Sequence, residues 1–472
     1  MIQSIDHVAL LPAYVAAAAA LVIFLADLLA PRRAVSLACG AIGALAVIPA
    51  AWAARDRATL CSGESGTDCS YIMDKTALLT AILFAILTAA VFLLSAYVTA
   101  EPGEYAFLLA CSMAGGVVLG AARDLITLIV ALETLTLPLY ALVALRRGRK
   151  SGEGAVTFFV VSVVSTAVTL LGAALLYASI GAVHLAKLRE LRPEGPLADI
   201  TTVGIVLILV GLGFKVAAVP LHGWAPATYD GAPLPVAGYL STASKLGGVV
   251  ALVLIAGALR GYAATAGALA ALAVLTMTVG NIGALRQTRM VRLLAWSSIA
   301  QAGYVLAALV VSPGAAVAYT IFFVLTELLA FAAVITARRD DPEGGLVSDY
   351  RGLARRAPWV AGALVLALAG LAGLPPGLAG MFGKIVVIKA LVDAHWTWLA
   401  VLVALNAVVA LAYYVRVGAS MFAQAEESFS EEGVVSHPRR VRWPVAIGLA
   451  ALTAVTIVAG FTPQWVLNAA GY

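Results

Sequence analysis

Five ionisable side chains lie within the most apolar stretches of this 472-residue sequence: Glu133, Lys215, Lys245, Glu327 and Lys384. A charged side chain at the centre of a bilayer costs at least about 2.5–3.5 kcal/mol on insertion scales, so intramembrane charges usually mark ion paths or ion pairs. Burial disfavours the ammonium form of a lysine and a nearby carboxylate favours it, so a lysine beside an acid can gain and lose a proton. The set therefore predicts a proton relay in which waters bridge the gaps between successive groups.

The bland interpretation is that these groups are structural ion pairs or polar groups satisfied by water. An acid and three lysines spread over four different apolar stretches favour the relay, and Glu327 remains open between a relay role and a structural pair. His222 follows Pro220 and is a further candidate station, although a lone loop histidine is more often simply hydrogen-bonded. No nucleotide-binding loop, zinc-ligand spacing or haem motif is present, so the sequence predicts neither a cofactor nor a metal in this chain, and no nucleic-acid partner.

The elements that must position these residues are membrane-spanning helices. The chain is 62% hydrophobic and 12% charged, with a mean hydropathy of +0.99, whereas a soluble domain carries roughly 25% charged residues. We predict that this all-α polytopic protein crosses the lipid bilayer about fourteen times. The predicted spans are 8–30, 35–54, 75–98, 104–121, 124–145, 153–179, 200–225, 234–259, 265–284, 291–311, 314–337, 358–390, 396–422 and 443–468.

The loops predict the orientation of these spans. Basic residues concentrate in cytoplasmic loops of membrane proteins, and the bias is best satisfied with both termini on the outer side of a bacterial cytoplasmic membrane. The pI near 9.0 is then explained by the basic residues of the cytoplasmic loops. The first span is too long, and too closely followed by others, to be a cleaved signal peptide. The longest loops, 338–357 and 423–442, are predicted to be solvated.

Two predicted spans are interrupted. The seventh carries Gly211, Gly213 and Pro220, and the twelfth carries Pro375 and Pro376 within GLAGLPPGLAGMFGK. Broken helices at corresponding positions of two halves are typical of inverted-repeat transporters, in which the ion path lies beside the breaks. We therefore predict a single transmembrane domain over 1–472, with a three-helix segment 1–103, two inverted five-helix repeats 104–259 (spans 4–8) and 265–422 (spans 9–13), and a C-terminal helix 443–468.

The four cysteines fall into two groups. Cys39 and Cys111 lie in predicted spans and are interpreted as packing residues. Cys61 and Cys69 flank SGESGTD in a predicted outside loop, where an oxidising compartment would allow a disulfide. The sequence leaves open whether that disulfide forms.

Five segments resemble the antiporter-like subunits of respiratory complex I and the related multi-subunit cation/proton antiporters. They are LETLTLPLYALVAL (132–145), FKVAAVPLHGWAPATYDGAPLPVAGYLSTASK (214–245), NIGALRQTRMVRLLAWSSIAQAGY (281–304), DYRGLARRAP (349–358) and LAGLPPGLAGMFGK (371–384). The resemblance covers roughly residues 100–420. It implies that Glu133 and Lys215 form an interacting pair, that Lys245 is the central relay lysine, and that Lys384 lies near the outward exit.

The resemblance also implies a place in a larger assembly. The chain would be a non-redox subunit of a proton-translocating NADH:quinone oxidoreductase, with FMN, iron–sulfur clusters and the quinone held by other subunits. Its neighbours would be the antiporter-like subunits M and L and the small membrane subunits K, J and A. The opening segment, the end of the chain after the fourteenth span and Lys384 distinguish it from the L and M types.

Two departures from the family pattern affect the path. Thr157 stands where the family usually has a lysine in span six, and Gln301 stands where the family has a histidine. Neither a threonine nor a glutamine side chain can gain or lose a proton at ordinary pH. The path would therefore skip these stations, use water, or use Glu327. Two other functions remain as alternatives: a subunit of a sodium/proton antiporter, and a structural membrane subunit whose charges only hold helices together.

Overall fold

A computed structural model of the protein describes residues 5–62, 68–338, 341, 343–424 and 441–472. Most of the predicted loop 423–442 lies outside these residues. The described chain is almost entirely helical, as predicted, and resembles a bundle whose outer helices present leucine and valine side chains to the surroundings. The helices are numbered below in chain order.

The N-terminal segment contains three long helices and a small hairpin. Its elements are α1 (Leu11–Leu29), α2 (Arg33–Ala53), β1 (Ala58–Ser62), β2 (Asp68–Ile72) and α3 (Lys75–Leu94). The two strands pair antiparallel, and Cys61 and Cys69 are opposite each other and joined by a disulfide. The Asp74 side chain caps α3 by accepting from the backbone N–H of Ala77, and so pairs one of the donors that a helix start leaves unpaired.

The first predicted repeat contains eight helical segments, including the broken seventh span. They are α4 (Pro102–Ala121), α5 (Leu125–Ala144), α6 (Arg149–Ile180), α7 (Leu185–Glu190), α8 (Pro196–Gly213), α9 (Trp224–Gly231), α10 (Leu234–Tyr239) and α11 (Lys245–Ala258). After α8 the chain makes one 3-10 turn, Phe214–Val216, and then leaves the helix at Ala217, whose φ of 59° is left-handed. The predicted break is therefore present. A π-helical stretch, Leu240–Ser244, joins α10 to α11, and the sequence did not predict it.

The second predicted repeat and the C-terminus follow. Their helices are α12 (Ala263–Leu285), α13 (Met290–Leu309), α14 (Pro313–Ala337), α15 (Leu353–Arg356), α16 (Pro358–Ala372), α17 (Leu378–Asp393), α18 (Thr397–Phe422), α19 (Trp443–Phe461) and α20 (Pro463–Ala470). The twelfth predicted span is divided into α16 and α17, and Gly373 ends α16 with a φ of 84°. This confirms the predicted break at the double proline.

Within the described residues, twelve helices are long and apolar enough to cross a membrane, against the fourteen spans predicted. The two differences have a common cause. The predicted tenth span is α13, which carries Ser297, Ser298 and Gln301, and the predicted twelfth is two shorter helices. Both are largely surrounded by protein, where polar residues and helix breaks are tolerated because other parts of the chain satisfy them.

The centre of the bundle is formed by α14. Nearly all of its side chains are buried, and it packs against α10, α11, α13, α16 and α17. These helices include the second break, between α16 and α17, and Lys245 at the start of α11. Glu327 lies halfway along α14 and is 0% exposed. The fold therefore places a carboxylate between the two predicted repeats.

A charge cluster joins the two predicted repeats at the end of the bundle that is predicted to face the cytoplasm. Glu343 accepts hydrogen bonds from Arg146 and Lys150 at the α5–α6 connection, at 2.7 Å each, and from Arg289 at the start of α13, also at 2.7 Å. Arg289 also binds Asp230 of α9. The Lys150 ammonium and the Arg289 and Arg146 guanidinium groups lower the pKa of the Glu343 carboxyl to about 2.

We predict that Glu343→Gln destabilises the protein by about 1–3 kcal/mol, because partly buried cationic donors lose their charged acceptor. A lowered carboxyl pKa contributes stability that is complete above the unfolded pKa of about 4.3 and is lost as pH falls towards the folded value. The melting temperature of the solubilised Glu343→Gln complex should therefore lie below that of the wild type by the same amount at every pH from neutral down to about 5. Glu153→Gln, which removes an exposed ion pair with Arg149, is the control and should change little. Equal melting of the two variants would contradict the prediction.

The disulfide gives a test of the predicted orientation. After reduction in intact cells, a membrane-impermeant maleimide should label Cys61 and Cys69 from the outer side, whereas labelling without reduction should be absent. Cys39 and Cys111 are free but half-buried within α2 and α4. As a control, Ser348→Cys places a thiol on an exposed residue of the opposite end and should react only after the membrane is permeabilised. The reverse pattern would place both termini inside.

Candidate functional site

The first cluster of buried polar residues contains Glu133 on α5 and Lys215 in the turn after α8. Lys215 Nζ donates to Glu133 Oε1 at 3.0 Å and to Thr136 Oγ1 at 3.0 Å. Thr166 on α6 donates to the same Glu133 oxygen at 2.8 Å. The lysine side chain is 7% exposed and the glutamate 26%. The two residues predicted to interact thus form an ion pair in which the glutamate is more exposed than the lysine.

The break after α8 makes room for this pair. A Cβ on Gly248 of α11 would lie 2.8 Å from the Lys215 Cβ, so glycine there allows the turn to pack against α11. Carbonyl groups left by the break find partners, since Ser165 Oγ donates to Gly211 O at 2.6 Å and Trp224 Nε1 donates to Phe214 O at 3.2 Å. A break inside a bilayer requires this internal satisfaction.

The second cluster links Lys245 to Glu327 through two serines. Lys245 Nζ donates to Ser298 Oγ of α13 at 2.5 Å. The Ser241 hydroxyl lies 3.1 Å from the Ser298 hydroxyl and donates to Glu327 Oε1 at 2.6 Å. Lys245 is 1% exposed and Glu327 0%. The described residues thus form a chain of hydrogen bonds from an ammonium group to a carboxylate.

From the sequence, Glu327 was open between a relay role and a structural pair, and the structure shows a direct ion pair with neither Lys245 nor Lys384. The serines that join Glu327 to Lys245 were missed. Their signal was present, because Ser241 and Lys245 are four residues apart and share a helix face. The Glu327 Oε2 atom is buried and has no hydrogen-bond partner among the described residues, so this carboxylate oxygen could hold or accept a proton.

The third cluster surrounds Lys384 on α17. Its Nζ donates to the carbonyls of Leu371 and Ala372 at 3.0 and 2.6 Å, the last carbonyls of α16 before the break. The C-terminal end of a helix carries partial negative charge that favours a cation. Lys384 also lies 5.2 Å from the centroid of the Tyr304 ring. In the described part of the chain this lysine has no carboxylate partner.

Gln301 of α13 extends the third cluster towards the second. Its Nε2 donates to Leu371 O at 2.9 Å, the carbonyl that also binds Lys384, and to Tyr414 OH at 3.0 Å. Tyr319 OH donates to its Oε1. Tyr414 OH is hydrogen-bonded to the hydroxyl of Ser297, the neighbour of Ser298. Helix α13 therefore contributes hydroxyl or amide groups to both clusters, but no hydrogen bond between described residues joins Ser297 to Ser298.

Two residues singled out from the sequence lie apart from the clusters. His222 is hydrogen-bonded at 3.2 Å to Pro220 O of its own loop, and its ring packs 5.5 Å from Trp296. Among the described contacts it reaches none of the three lysines. Thr157 makes no described hydrogen bond to the first cluster, where Ser162 and Thr166 of the same helix interact instead with Lys215 and Glu133.

No hydrogen bond between described residues joins the first cluster to the second. Lys215 and Lys245 are linked only by packing of the α8 turn on Gly248, one turn beyond Lys245. A proton passing between them would need water. Among the described residues no group of three or more His, Cys, Asp or Glu side chains is placed to hold a metal ion.

Residues 122–410 match the sequence profile of a family described as NADH:quinone oxidoreductase/Mrp antiporter, TM. The NADH-quinone oxidoreductase subunit N of Salinispora tropica is 53% identical over 100% of this chain and 99% of that protein. The subunit N 2 of Streptomyces griseus is 42% identical over 99% of this chain and 94% of its own length.

Solved structures give the same picture. A chain of respiratory complex I from Thermus thermophilus with bound aureothin superposes with a TM-score of 0.82, is 30% identical, and covers 97% of this chain and 98% of that one. A chain of the Mrp complex from Dietzia sp. DQ12-45-1b superposes with a TM-score of 0.80 over 99% of this chain and 96% of that one. Its 20% identity makes it a likeness of fold alone.

Glycines hold α16 and α17 together at the second break, and this generates a prediction. A Cβ on Gly380 would lie 1.8 Å from Gly370 O, so Gly380→Ala must move α17 and with it Lys384. We expect a loss of about 1–3 kcal/mol, the usual cost of overpacking, seen as a lower melting temperature of the solubilised complex. Gly362→Ala on α16 is the control because nothing lies within 4 Å of its added Cβ. Indistinguishable melting of the two variants would mean that the helices are not held this closely.

Proposed function

Because the chain belongs to the NADH:quinone oxidoreductase/Mrp antiporter family, we propose that its three buried clusters carry protons across the bacterial cytoplasmic membrane. The chain is an antiporter-like membrane subunit of the N type, and so part of the enzyme complex NADH:quinone oxidoreductase. The opening segment and Lys384, which distinguish it from the L and M types in the sequence, agree with this assignment. The 53% identity over the full chain favours the redox complex over the antiporter alternative.

The observation that carries the proposal is the hydrogen-bonded chain from Lys245 through Ser298 and Ser241 to Glu327. Two opposite charges buried this deeply are costly to keep out of water. Transfer of one proton from the ammonium group to the carboxylate through the hydroxyls would leave both groups neutral. The cluster can therefore hold the proton on either Lys245 or Glu327 with the same net charge. A purely structural ion pair does not need the hydroxyl groups that connect the two.

The Glu133–Lys215 pair is the proposed switch for this cluster. The carboxylate stabilises the ammonium charge of Lys215, so protonation of Glu133 or separation of the pair would favour release of the lysine proton. Water would carry it across the gap to Lys245. Events at the quinone, held by other subunits together with FMN and the iron–sulfur clusters, would drive the separation.

The proposed exit passes along α13 to Lys384. Gln301 does not titrate, but the hydroxyls of Ser297, Tyr414 and Tyr319 surround it. Lys384 would receive the proton among the carbonyls at the end of α16 and release it outward. In this proposal Glu327 supplies the titratable group that Gln301 lacks, and neither Thr157 nor His222 is a station.

The proposed neighbours are the antiporter-like subunits M and L and the small subunits K, J and A. The chain itself would be non-redox, and its two five-helix units would be inverted repeats with both termini outside. The α8 and α16 breaks support the repeat, because each lies directly beside a buried lysine.

We predict that Lys245→Ala leaves the complex assembled but lowers proton pumping roughly tenfold or more, the scale expected when a proton-transfer group is removed. NADH:ferricyanide activity of purified complex measures assembly, and dye quenching in inverted vesicles measures pumping. Glu327→Gln should give the same loss while keeping the hydrogen bond to Ser241. The control Lys389→Ala removes an exposed lysine paired with Asp393 and should pump normally.

Two results would contradict this proposal. If assembled Lys245→Ala complex pumps at the control rate, Lys245 is not in the path. If Lys245→Ala prevents assembly while assembled Glu327→Gln complex pumps at the control rate, the cluster only holds helices together, and the structural alternative is correct.

A further inference from the structure

An apolar groove runs along the surface of the N-terminal segment, between α2, α3 and α19. Its volume is about 520 Å³, and its walls are almost entirely apolar. They include Leu37, Ala41 and Ile42 of α2 and Phe92 and Leu93 of α3. Ile42 is 69% exposed, whereas the Phe92 ring is buried beneath the groove and packs against Gly40. None of the residues of the three clusters lines it.

One end of the groove is positively charged. Arg33 and Arg442 line this end together with Trp443. Each guanidinium uses one nitrogen on the α3–α4 connection: Arg33 Nη2 donates to Ala100 O at 3.0 Å, and Arg442 Nη1 donates to Ala96 O. Among the residues that the structure describes, neither arginine has an ion-pair partner.

The geometry of the charged end suits an anion. A guanidinium carries five N–H donors, and most donors of both arginines have no hydrogen-bond partner among the described residues. Helices α2 and α19 begin at this end, at Arg33 and Trp443, and helix N-termini add positive partial charge. The two arginines would hold a phosphate by charge-assisted hydrogen bonds, the strongest class of such bonds.

The groove also has the length of a single leaflet. From Arg33 to Ile42 the wall rises by nine helical residues, or about 14 Å at 1.5 Å per residue. This is about half of the roughly 30 Å hydrocarbon core of a bilayer. The charged end lies at the same end of the bundle as Glu343, which is predicted to face the cytoplasm, where the leaflet surface is anionic.

We propose that this groove is a binding site for an anionic phospholipid, with its phosphate held between Arg33 and Arg442 and an acyl chain along Leu37, Ala41 and Phe92. The lipid would fill the surface between the N-terminal segment and the C-terminal helix. It would thereby tie α19, which follows the loop 423–442, to α2 and α3. This site is independent of the proposed proton path.

The test is photocrosslinking in the intact purified complex, reconstituted with phosphatidylglycerol that carries a diazirine on its acyl chain. Mass spectrometry should find the label on residues of α2, α3 or α19 that line the groove. Replacing both arginines, Arg33→Gln with Arg442→Gln, should lower labelling there roughly 30-fold, the factor expected for two charges at an anionic surface. The control pair Arg32→Gln and Arg149→Gln removes two arginines from the same end of the bundle that do not line the groove, and it should label like the wild type.

A second variant separates lipid binding from general damage. Ala41→Trp fills the apolar part while leaving both arginines, and should also lose the label in complex that retains its NADH:ferricyanide activity. Equal labelling by phosphatidylglycerol and phosphatidylcholine would overturn the proposal, since the arginines would then not favour an anionic lipid over a zwitterionic one. Absence of label in wild-type complex, with a crosslink from Ala38→Cys to another subunit, would equally overturn it and show that a protein neighbour covers the groove.

Discussion

Within a bilayer, every charge and every backbone group released from a helix must find its partner inside the protein, and much of this structure follows from that constraint. The end of α16 leaves carbonyls without helical partners, and Lys384 brings a charge without a carboxylate. Each satisfies the other, because Nζ binds Leu371 O and Ala372 O. The α8 break follows the same rule, with Ser165 and Trp224 binding the released carbonyls.

The same constraint explains why α13 and α14 are the centre of the molecule. Helix α13 carries buried serines and a buried glutamine, which would be unfavourable in contact with lipid, and α14 carries a fully buried glutamate. Placed side by side and surrounded by other helices, they hold the hydrogen-bonded chain from Lys245 to Glu327 and the Gln301 contacts beside Lys384. The polar groups that make these helices poor bilayer neighbours are the ones that a proton path needs.

The periphery is held by different forces. At the end predicted to be cytoplasmic, Glu343 gathers cations from the α5–α6 connection and from α13, so one carboxylate binds both predicted repeats. Between α2, α3 and α19 the contact is apolar and incomplete, leaving a groove with two arginines at one end. The proposed proton path depends on directional hydrogen bonds, whereas the helices around the groove are held by apolar packing.

The sequence alone determined the helical membrane fold, the positions of both breaks and the buried charges, because bilayer length, proline chemistry and the cost of burying charge act locally along the chain. It also indicated the Glu133–Lys215 pair through the family resemblance. Only the tertiary structure decided the partners that depend on neighbouring helices. It set Glu327 two serines away from Lys245, gave Lys384 carbonyls in place of an acid, and removed His222 from the clusters. Hydrogen bonds between distant helices depend on distances of a few tenths of an ångström and on side-chain direction, which no spacing in one sequence records.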